Sequence, residues 1–467
     1  MKPMLPTVKD CSKPLQRFCS ALLGLALCAL LLAPPVLALS DTEQLVVESW
    51  RLVNQSYLDP TRFEQVHWRR LRQNALATNI SSSEDAYAAI EGMLLPLGDP
   101  YTRLLRPLDY QALQASNSGS ISGVGLQLDS RGTEGQILVI APLEGSPAAD
   151  AGVVSGTRLI SVNGQSAEEL GLQTAAARLR GEVGSQVVVE LQAPEGEIEE
   201  VSLERRNVDL RPVRTRRLRS AAHTLGYLRI TQFSEGVPEQ VQEALKDLSD
   251  KDVEGLVLDL RNNSGGLVSS GLAVADAFLS DDPIVETRNR EGIDDGIRAG
   301  RGMLYEGPMV TLVNGGTASA SEILAGALRD NGRSQLLGSQ TFGKGMIQTL
   351  TNLSDGSGLA VTVAAYVTPS GQDIQNRGIE PDRILDQPEP LNPGGDGDRW
   401  LTDAERWMEA QLEVQQQEAQ LQEAQLQEAQ LQEAQLQEAP MQTVAMQTVA
   451  MQTVAMQAVQ VEPTDTP

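Results

Sequence analysis

Cysteine is nearly absent from this 467-residue chain, and its few copies are confined to one end. Cys11, Cys19 and Cys28 all lie within the first 38 residues, a stretch with the pattern of an export signal. Without that stretch, the chain has no disulfide, no thiol nucleophile and no cysteine ligand for a metal. Any covalent chemistry of the mature protein must therefore use another residue type.

Histidine is also scarce, since only His67 and His223 are present. Two histidines cannot supply a His-rich zinc site, and they leave only two candidate bases for a Ser-His-Asp arrangement. Each lies in a segment where a surface or strand-edge histidine is the ordinary interpretation. This scarcity favours a base other than histidine for any serine-dependent reaction.

The first 38 residues predict a cleaved signal peptide. A basic stretch that ends at Arg17 precedes the apolar run 21–33, and small residues follow at 36–38. The run is shorter than the roughly 20 residues that a membrane span needs, so a retained anchor is the less favoured alternative. No later segment could cross a bilayer, and we predict an exported protein with no integral span in its mature chain.

Positive charge is in deficit throughout. The chain carries a formal net charge of -25 at pH 7, and loss of the basic leader makes it more negative. Such a surface repels nucleic acid and anionic lipid, and no basic cluster offsets it. Nucleic acid is therefore excluded as a partner.

One lysine stands apart from the others in the mature chain. Lys246 and Lys251 lie in polar, acidic surroundings, whereas Lys344 is flanked by two glycines and followed by apolar residues. A desolvated lysine can lose its proton near neutral pH and act as the general base for a serine hydroxyl. Ser319, in a run of small residues upstream, is its predicted partner.

The segment around Ser319 has the pattern of a strand, a glycine turn and a helix start. Ser319-Ala-Ser-Glu322 has the form of a capping box, in which the serine need only satisfy helix N–H groups. A helix start also offers N–H donors to a developing oxyanion, which favours a catalytic role. The pattern alone does not separate Ser319, Ser321 and Thr317 as the nucleophile.

A second polar segment, residues 259–267, follows an apolar strand directly. Catalytic groups in open parallel sheets collect at the carboxyl ends of strands, and a Gly265-Gly266 turn there can aim N–H groups at a substrate carbonyl. An ordinary strand-to-helix turn is the alternative interpretation.

The stretch 338–344 has a competing interpretation as a phosphate-binding loop. Such a loop needs Ser or Thr after its lysine, where this chain has Gly345, and a helix to follow. The next residues have a strand pattern instead, so nucleotide binding is disfavoured.

The overall pattern predicts an α/β, multidomain protein. After the signal peptide at 1–38 we expect a helical domain at 39–105, a small β-domain at 106–195 and a core of alternating strands and helices at 196–388. The alternation predicts a mostly parallel sheet covered by helices. Residues 389–467 are predicted to be a linker and a glutamine-rich repeat tail.

The tail repeats every five residues, first as Leu-Gln-Glu-Ala-Gln and then as Met-Gln-Thr-Val-Ala. Five residues advance a helix by about 140°, so the leucines wind around it without forming a stripe. This excludes a coiled coil and an amphipathic membrane helix. We predict a solvated helix or disorder, with a partner-binding stalk as the less favoured alternative.

The β-domain has three glycine-rich segments, 122–126, 145–152 and 156–164. A loop with free N–H groups beside an exposed strand edge can capture a peptide carboxylate while the peptide adds as an extra strand. A small β-domain without a ligand is the alternative.

These motifs together resemble the carboxyl-terminal processing peptidases, a Ser/Lys protease family with an inserted PDZ domain. On the protease side the resemblance rests on residues 317–323, on 342–345 with Gln348, and on 368–371 leading to 378–382. The glycine-rich segments resemble the PDZ domain. Only the repeat tail and the leader lie outside the match.

The resemblance implies roles residue by residue. Ser319 matches the nucleophile, Lys344 the general base and Gln348 the residue that orients the lysine. Gly265 and Ala320 match the backbone donors of the oxyanion hole. No metal and no cofactor are implied.

The PDZ resemblance implies that Gly123, Val124, Gly125 and Leu126 form the loop that receives the carboxylate of the substrate. In this family the PDZ domain binds the C-terminus of the substrate and controls access to the dyad. Protein or peptide C-termini are therefore the expected partners, and no oligomeric state is implied.

The implied activity is that of an endopeptidase that cuts exported or lumenal proteins near their C-termini through an acyl-enzyme. The helical segment 41–105 is most similar to members from oxygenic phototrophs, whose characteristic substrate is a photosystem II reaction-centre precursor. This implies the thylakoid lumen or the periplasm, with peripheral association with membrane-protein substrates. A non-catalytic PDZ scaffold that binds C-terminal tails is the alternative.

Overall fold

The computed structural model describes residues 39–117, 120–131, 136–194, 196–209, 212–219, 222–293, 296–390, 393–395 and 397–458. The predicted signal peptide at 1–38 lies outside the described residues. No helix in these ranges is both long enough and apolar enough to span a membrane.

Helices dominate the chain up to residue 97, as predicted. They are α1 (Asp41–Ser56), α2 (Arg62–Gln65), α3 (Trp68–Ala77) and α4 (Ser83–Leu94), followed by a 3-10 turn (Leu95–Leu97). Ser40 and Ser82 begin α1 and α4 with capping boxes. Val46, Trp68 and Ile90 are buried between these helices and form their shared core.

The predicted PDZ domain is a small antiparallel sheet with one long helix. Its sheet has the order β3 (Leu126–Arg131), β4 (Gln136–Pro142), β5 (Arg158–Val162), β7 (Gln186–Gln192) and β8 (Ile198–Glu204), with β6 (Gln165–Ser166) beside β5, and its helices are α6 (Pro147–Asp150) and α7 (Ala167–Leu179). Helix α5 (Pro107–Asn117) and the ribbon of β2 (Ser120–Gly123) with β9 (Arg206–Asp209) lead into and out of it. Strand β3 lies at the sheet edge, and the predicted limit at residue 195 falls between two paired strands.

The core sheet is mostly parallel, as predicted. Its strands are β10 (Val213–Arg219), β11 (Thr224–Ile230), β12 (Gly255–Asp259), β16 (Met309–Val313), β17 (Gln335–Gly338) and β20 (Arg383–Ile384), and only the β10–β11 pair is antiparallel. Helices α8 (Val237–Ser249), α9 (Val268–Asp276) and α10 (Ala320–Asp330) supply the crossovers. Every residue of β12 and β16 is buried, which explains their uninterrupted apolar runs.

A second, antiparallel sheet was not expected from the sequence. It contains β1 (Arg103–Leu105), β13 (Pro283–Asn289), β14 (Gly292–Ile293), β15 (Ile297–Arg298), β18 (Met346–Asn352) and β19 (Gly358–Val367). Because side chains alternate along a strand, Leu359 and Val361 of β19 pack on the N-terminal helices while Thr362 and Tyr366 face the other way. This second face borders the site described below.

The prediction for the tail was wrong at its start. Helix α11 (Arg399–Ala458) begins within the predicted linker and tail, and Trp400, Ala404, Met408 and Leu412 pack against the core sheet. Their helical spacing gives one apolar face, whose burial stabilises these turns. Beyond them Leu421, Leu426 and Leu431 are exposed, as expected of a solvated helix, with 60% of Leu421 accessible.

Candidate active site

The turn between β16 and α10 presents Ser319 in a strained conformation. Its φ of 56° and ψ of -119° lie in a region that residues other than glycine rarely adopt. A residue held in such a conformation costs about 1–3 kcal/mol of stability. Thr317 and Ser321 are fully buried, and their hydroxyls donate to the carbonyl oxygens of Leu260 and Asn263. Ser319 is partly exposed, so it is the hydroxyl of the three that a substrate can reach.

The Glu322 half of the predicted capping box is present, and its carboxylate does more than cap the helix. Glu322, buried completely, accepts the Ser319 N–H at 2.9 Å and the Lys344 N–H at 2.9 Å. It also accepts from Gly343 N at 2.7 Å and Thr341 Oγ1 at 2.5 Å. Burial raises the pKa of Glu322, and these hydrogen bonds oppose that shift. One side chain thus joins the backbones of Ser319 and Lys344.

Tyr366 joins the same two segments from the carbonyl side. Its hydroxyl lies 2.9 Å from the Ser319 carbonyl oxygen and within hydrogen-bond distance of the Lys344 carbonyl oxygen. Burial raises the pKa of Tyr366 well above its usual value, so the hydroxyl keeps its proton and donates.

Gly265 is packed against the Ser319 turn. A Cβ on Gly265 would lie 2.8 Å from Ser319 Cβ and 3.0 Å from Ala320 N, and its φ of +98° also favours glycine. The three residues predicted to attack and to form the oxyanion hole therefore meet. The Gly265 N–H donates to Asn263 Oδ1 at 3.0 Å, which a substrate oxyanion would have to replace.

Buried ion pairs support the loop that carries Gly265. Arg261 bonds to Asp259 and to Asp398 at the start of α11, each at 2.6 Å. Arg229 contacts Asp259 at 3.0 Å and Glu144 of the PDZ domain at 2.8 Å. Burial disfavours charge on Asp259, but the two arginines outweigh it and hold the pKa of Asp259 below its usual range. These ion pairs connect the loop to the PDZ domain and to the start of α11.

Lys344 lies in the same region, but its amine is turned towards the helical domain. The amine nitrogen lies 5.2 Å from the centroid of the Tyr101 ring, a cation–π distance. Burial lowers the pKa of Lys344, the charge of Asp129 opposes this shift, and Arg103 adds to it. Among the residues that the structure describes, no hydrogen bond joins the side chains of Ser319 and Lys344.

The anion near Lys344 comes from the PDZ domain. Asp129 lies on the edge strand β3, is nearly fully buried, and accepts a hydrogen bond from the Tyr101 hydroxyl at 3.1 Å. Strand β3 therefore lies beside the lysine, and a peptide that adds to its free edge would run close to the site.

Gln348 lies on β18, opposite Thr362 of β19. Its amide nitrogen is buried and has no hydrogen-bond partner in the described part of the chain. The structure thus brings Gln348 into the region of Lys344 without a bond between their side chains.

The predicted carboxylate loop lies at the start of the edge strand β3. The carbonyl oxygens of Val124 and Gly125 accept from Ala148 N and Leu143 N, at 3.0 and 2.8 Å. Their own N–H groups donate to no acceptor in the described ranges, so they are available to a ligand. Gly125 has a φ of +78°, and a Cβ there would collide with Ser146.

The competing interpretations lack support from the geometry. Lys344 is followed by the strand β18, so a phosphate at this loop would have no helix N-terminus. His223, one of the two candidate histidine bases, lies next to the first residue of β11 and is hydrogen-bonded to Glu254 at 2.8 Å. This position fits an ordinary strand-edge histidine.

The roles of Tyr101, Asp129 and Tyr366 could not be predicted from any sequence pattern. They come from three segments far apart in the chain, and only the fold brings them to the lysine. Glu322 was recognised only as a helix cap. Its complete burial and its contacts with the lysine segment are properties of the folded chain.

Known protein families agree with this arrangement. Residues 224–385 match the model of peptidase family S41, and residues 138–193 match a PDZ domain model. The family match covers the strands and turns that carry Ser319, Lys344 and Gly265.

Two relatives show similarity over a larger share of the chain than either family model. A carboxyl-terminal-processing protease from Synechocystis is 44% identical over 357 residues, which cover 76% of this chain and 83% of the relative. The chloroplastic carboxyl-terminal-processing peptidase 3 of Arabidopsis thaliana is 39% identical over 73% of this chain and 69% of its own length.

A solved structure is similar in three dimensions as well. The photosystem II D1 C-terminal processing protease is 38% identical, with a TM-score of 0.69, over 76% of this chain and 96% of that structure. The chain therefore belongs to the carboxyl-terminal-processing proteases of peptidase family S41.

Proposed function

We propose that this protein cleaves other proteins near their C-termini with Ser319 as nucleophile and Lys344 as general base. The observation that carries the proposal is the shared backbone support of the two residues, since Glu322 binds the N–H groups of both. A dyad needs its nucleophile and base in fixed positions, and a common anchor provides them.

In the reaction, the neutral amine of Lys344 takes the proton of Ser319 as the hydroxyl oxygen attacks the scissile carbonyl. The N–H groups of Gly265 and Ala320 stabilise the resulting oxyanion. Lys344 then protonates the leaving amine, and water hydrolyses the acyl-enzyme. For the first step, the lysine side chain must turn from the Tyr101 ring towards Ser319.

Burial of Lys344 supports its role as a base. A lowered pKa increases the fraction of neutral amine near neutral pH, and only this form accepts a proton. Activity is therefore expected to rise with pH as the lysine loses its proton. A flat rate between pH 5 and 9 would contradict the mechanism.

The PDZ domain supports protein C-termini as the substrates. The free N–H groups of Val124 and Gly125 suit a terminal carboxylate, and the edge of β3 suits the preceding residues as an added strand. In this arrangement the domain presents the C-terminal part of the substrate to the dyad.

The relatives point to a photosynthetic setting. One similar structure is a photosystem II D1 C-terminal processing protease, and several relatives are chloroplastic or cyanobacterial. We propose maturation of a photosystem II reaction-centre precursor by an exported enzyme of the thylakoid lumen or the periplasm. Such a substrate implies peripheral association of the enzyme with the membrane.

The test compares Ser319→Ala with the unaltered protein on a peptide that ends in a free carboxylate. We expect turnover to fall at least 1,000-fold, roughly the loss seen when other serine proteases lose their nucleophile, while peptide affinity is retained. Lys344→Ala is expected to behave in the same way. Turnover that survives Ser319→Ala would contradict the assignment of Ser319 as nucleophile. Peptide binding without turnover in the unaltered protein would leave the PDZ scaffold as the better account.

A further inference from the structure

One face of the antiparallel sheet carries polar atoms that lack partners. Arg103 lies opposite Ala360, and Gln348 lies opposite Thr362, so these side chains share the face that is turned away from the N-terminal helices. Arg103 Nε, Gln348 Nε2 and Thr362 Oγ1 are all buried without a hydrogen-bond partner within the described residues. We name these three residues the Arg103 face.

Arg103 is the most exceptional of the three. Its guanidinium has five N–H donors, and within the described chain it forms neither a hydrogen bond nor an ion pair. Arg106, three residues further along the chain, has its guanidinium paired with Glu84 at 2.6 Å and Glu91 at 3.4 Å. A half-buried arginine without acceptors is costly, which indicates that it serves a ligand.

The surroundings of Arg103 identify that ligand as part of the substrate chain. A cleft of about 950 Å³ runs between the helical domain and the PDZ helix α7, with Arg103 on one wall and Leu172 and Gln173 on the other. Arg103 is also close enough to Lys344 for its charge to lower the pKa of the lysine. The cleft therefore lies between the PDZ helix α7 and a residue whose charge reaches Lys344.

The charges in the cleft favour a neutral acceptor over an acidic one. Four carboxylates line the cleft: Glu84 and Glu91 are paired with Arg106 and Asp109 with Arg180, whereas no ion pair in the described chain involves Asp99. Asp129 also lies near Arg103, so a further carboxylate would meet an excess of anions. A peptide carbonyl oxygen accepts from a guanidinium without that repulsion, and every extended substrate chain offers one at each residue.

We propose that Arg103 is a substrate-binding residue that donates to a main-chain carbonyl oxygen of the segment lying between the PDZ domain and the dyad. This contact binds the substrate through its main chain, independently of the substrate side chains. It rests on the proposed function, because it concerns the substrate of the same Ser/Lys site.

The test measures KM and kcat for Arg103→Ala on a long C-terminal peptide, at a pH above the acidic limb of the rate profile. There the ionisation of Lys344 no longer affects the rate. We expect KM to rise about tenfold with kcat within twofold, the size of one charge-assisted hydrogen bond. Arg103→Lys is expected to recover only part of the loss, because it keeps the charge without the fork.

Arg106→Ala is the matched control within the same cleft, since its guanidinium is already paired with Glu84 and Glu91. Its KM is expected to stay within twofold of the unaltered enzyme. A second measurement uses Ser319→Ala as the background, where Arg103→Ala should weaken binding of the long peptide. Binding of a four-residue C-terminal peptide, which reaches only the PDZ domain, should be unchanged.

Replacing single peptide bonds of the substrate by esters identifies the acceptor, because an ester carbonyl accepts more weakly than an amide carbonyl. An ester at one position of the substrate is expected to raise KM in the unaltered enzyme and to have no effect on KM in Arg103→Ala. An unchanged KM in Arg103→Ala, or a loss confined to substrates with Asp or Glu, would overturn the proposal. Either result in an enzyme that still depends on Ser319 leaves the proposed function intact.

Discussion

The two halves of the candidate dyad differ in how far they are assembled. On the serine side, Ser319, Ala320 and Gly265 are in contact, and Glu322 fixes the turn. On the lysine side, only the backbone is fixed, while the amine lies over Tyr101. The serine side is built from short backbone distances within rigid elements, whereas the lysine side depends on a long, rotatable side chain.

This difference teaches where control of the reaction can reside. A turn held by buried hydrogen bonds cannot move cheaply, but a lysine side chain can rotate between two partners. Asp129, the anion near that lysine, belongs to the domain predicted to bind substrate. In the proposed mechanism the serine side is thus preformed, and the lysine side can respond to the PDZ domain.

The largest effect is expected from breaking the support of the serine side. Asp398→Ala leaves Arg261 with one of its two buried carboxylates, and removal of one partner from a buried ion pair typically costs about 3–5 kcal/mol of stability. Thermal or urea unfolding measures the loss. Asp403→Ala, which breaks an exposed pair with Arg406, is the control and should cost under about 1 kcal/mol.

The common anchor of the two sides is tested by Glu322→Gln. The amide keeps one acceptor oxygen and places an NH₂ group among four donors, so Ser319 and Lys344 lose their shared position. We expect kcat to fall about 100-fold, the scale of a small misplacement in a catalytic site. Glu239→Gln, at the same first-turn position of α8 but exposed, should leave kcat unchanged. An equal effect of both variants would contradict the anchoring role.

Gln348→Ala tests the lysine side alone. In the present arrangement Gln348 Nε2 has no partner within the described chain, so stability should change by less than about 0.5 kcal/mol. If Gln348 orients the lysine during turnover, kcat falls about tenfold. Unfolding and steady-state kinetics on one preparation separate the two quantities, and a loss of stability without a loss of kcat would assign the residue to packing.

Asp129→Asn should give the smallest and most specific change. The negative charge of Asp129 raises the pKa of Lys344, so its removal lowers that pKa and leaves more neutral amine at a given pH. The acidic limb of the rate profile is therefore expected to shift towards lower pH. A rate profile measured between pH 5 and 9 checks the direction, and a shift towards higher pH would contradict it.

Much of the serine side could be predicted from the sequence because its signals are local. The small residues around Ser319, the glycine pair at 265–266 and the capping residue Glu322 lie in short continuous motifs. The lysine side could be predicted only in part. Lys344 stood out by composition, but its contacts with Tyr101 and Asp129 join segments that no local pattern relates.

The antiparallel sheet and the start of α11 were missed for similar reasons. Strand β1 has only three residues and pairs with β19, more than 250 residues later, so no periodicity reveals it. The apolar positions from Trp400 to Leu412 have helical spacing, but the repeats that follow dominate the composition of that region.

The burial of Trp400, Met408 and Leu412 sets a limit on how far the chain can be shortened. These side chains cover an apolar face of the core sheet. A C-terminal truncation that also removes residues 400–412 would therefore expose that face to water. The described turns between Val414 and Leu431 cover nothing. An enzyme that trims the ends of other proteins thus carries, between Val414 and Leu431, helical turns of its own that do not shield its interior.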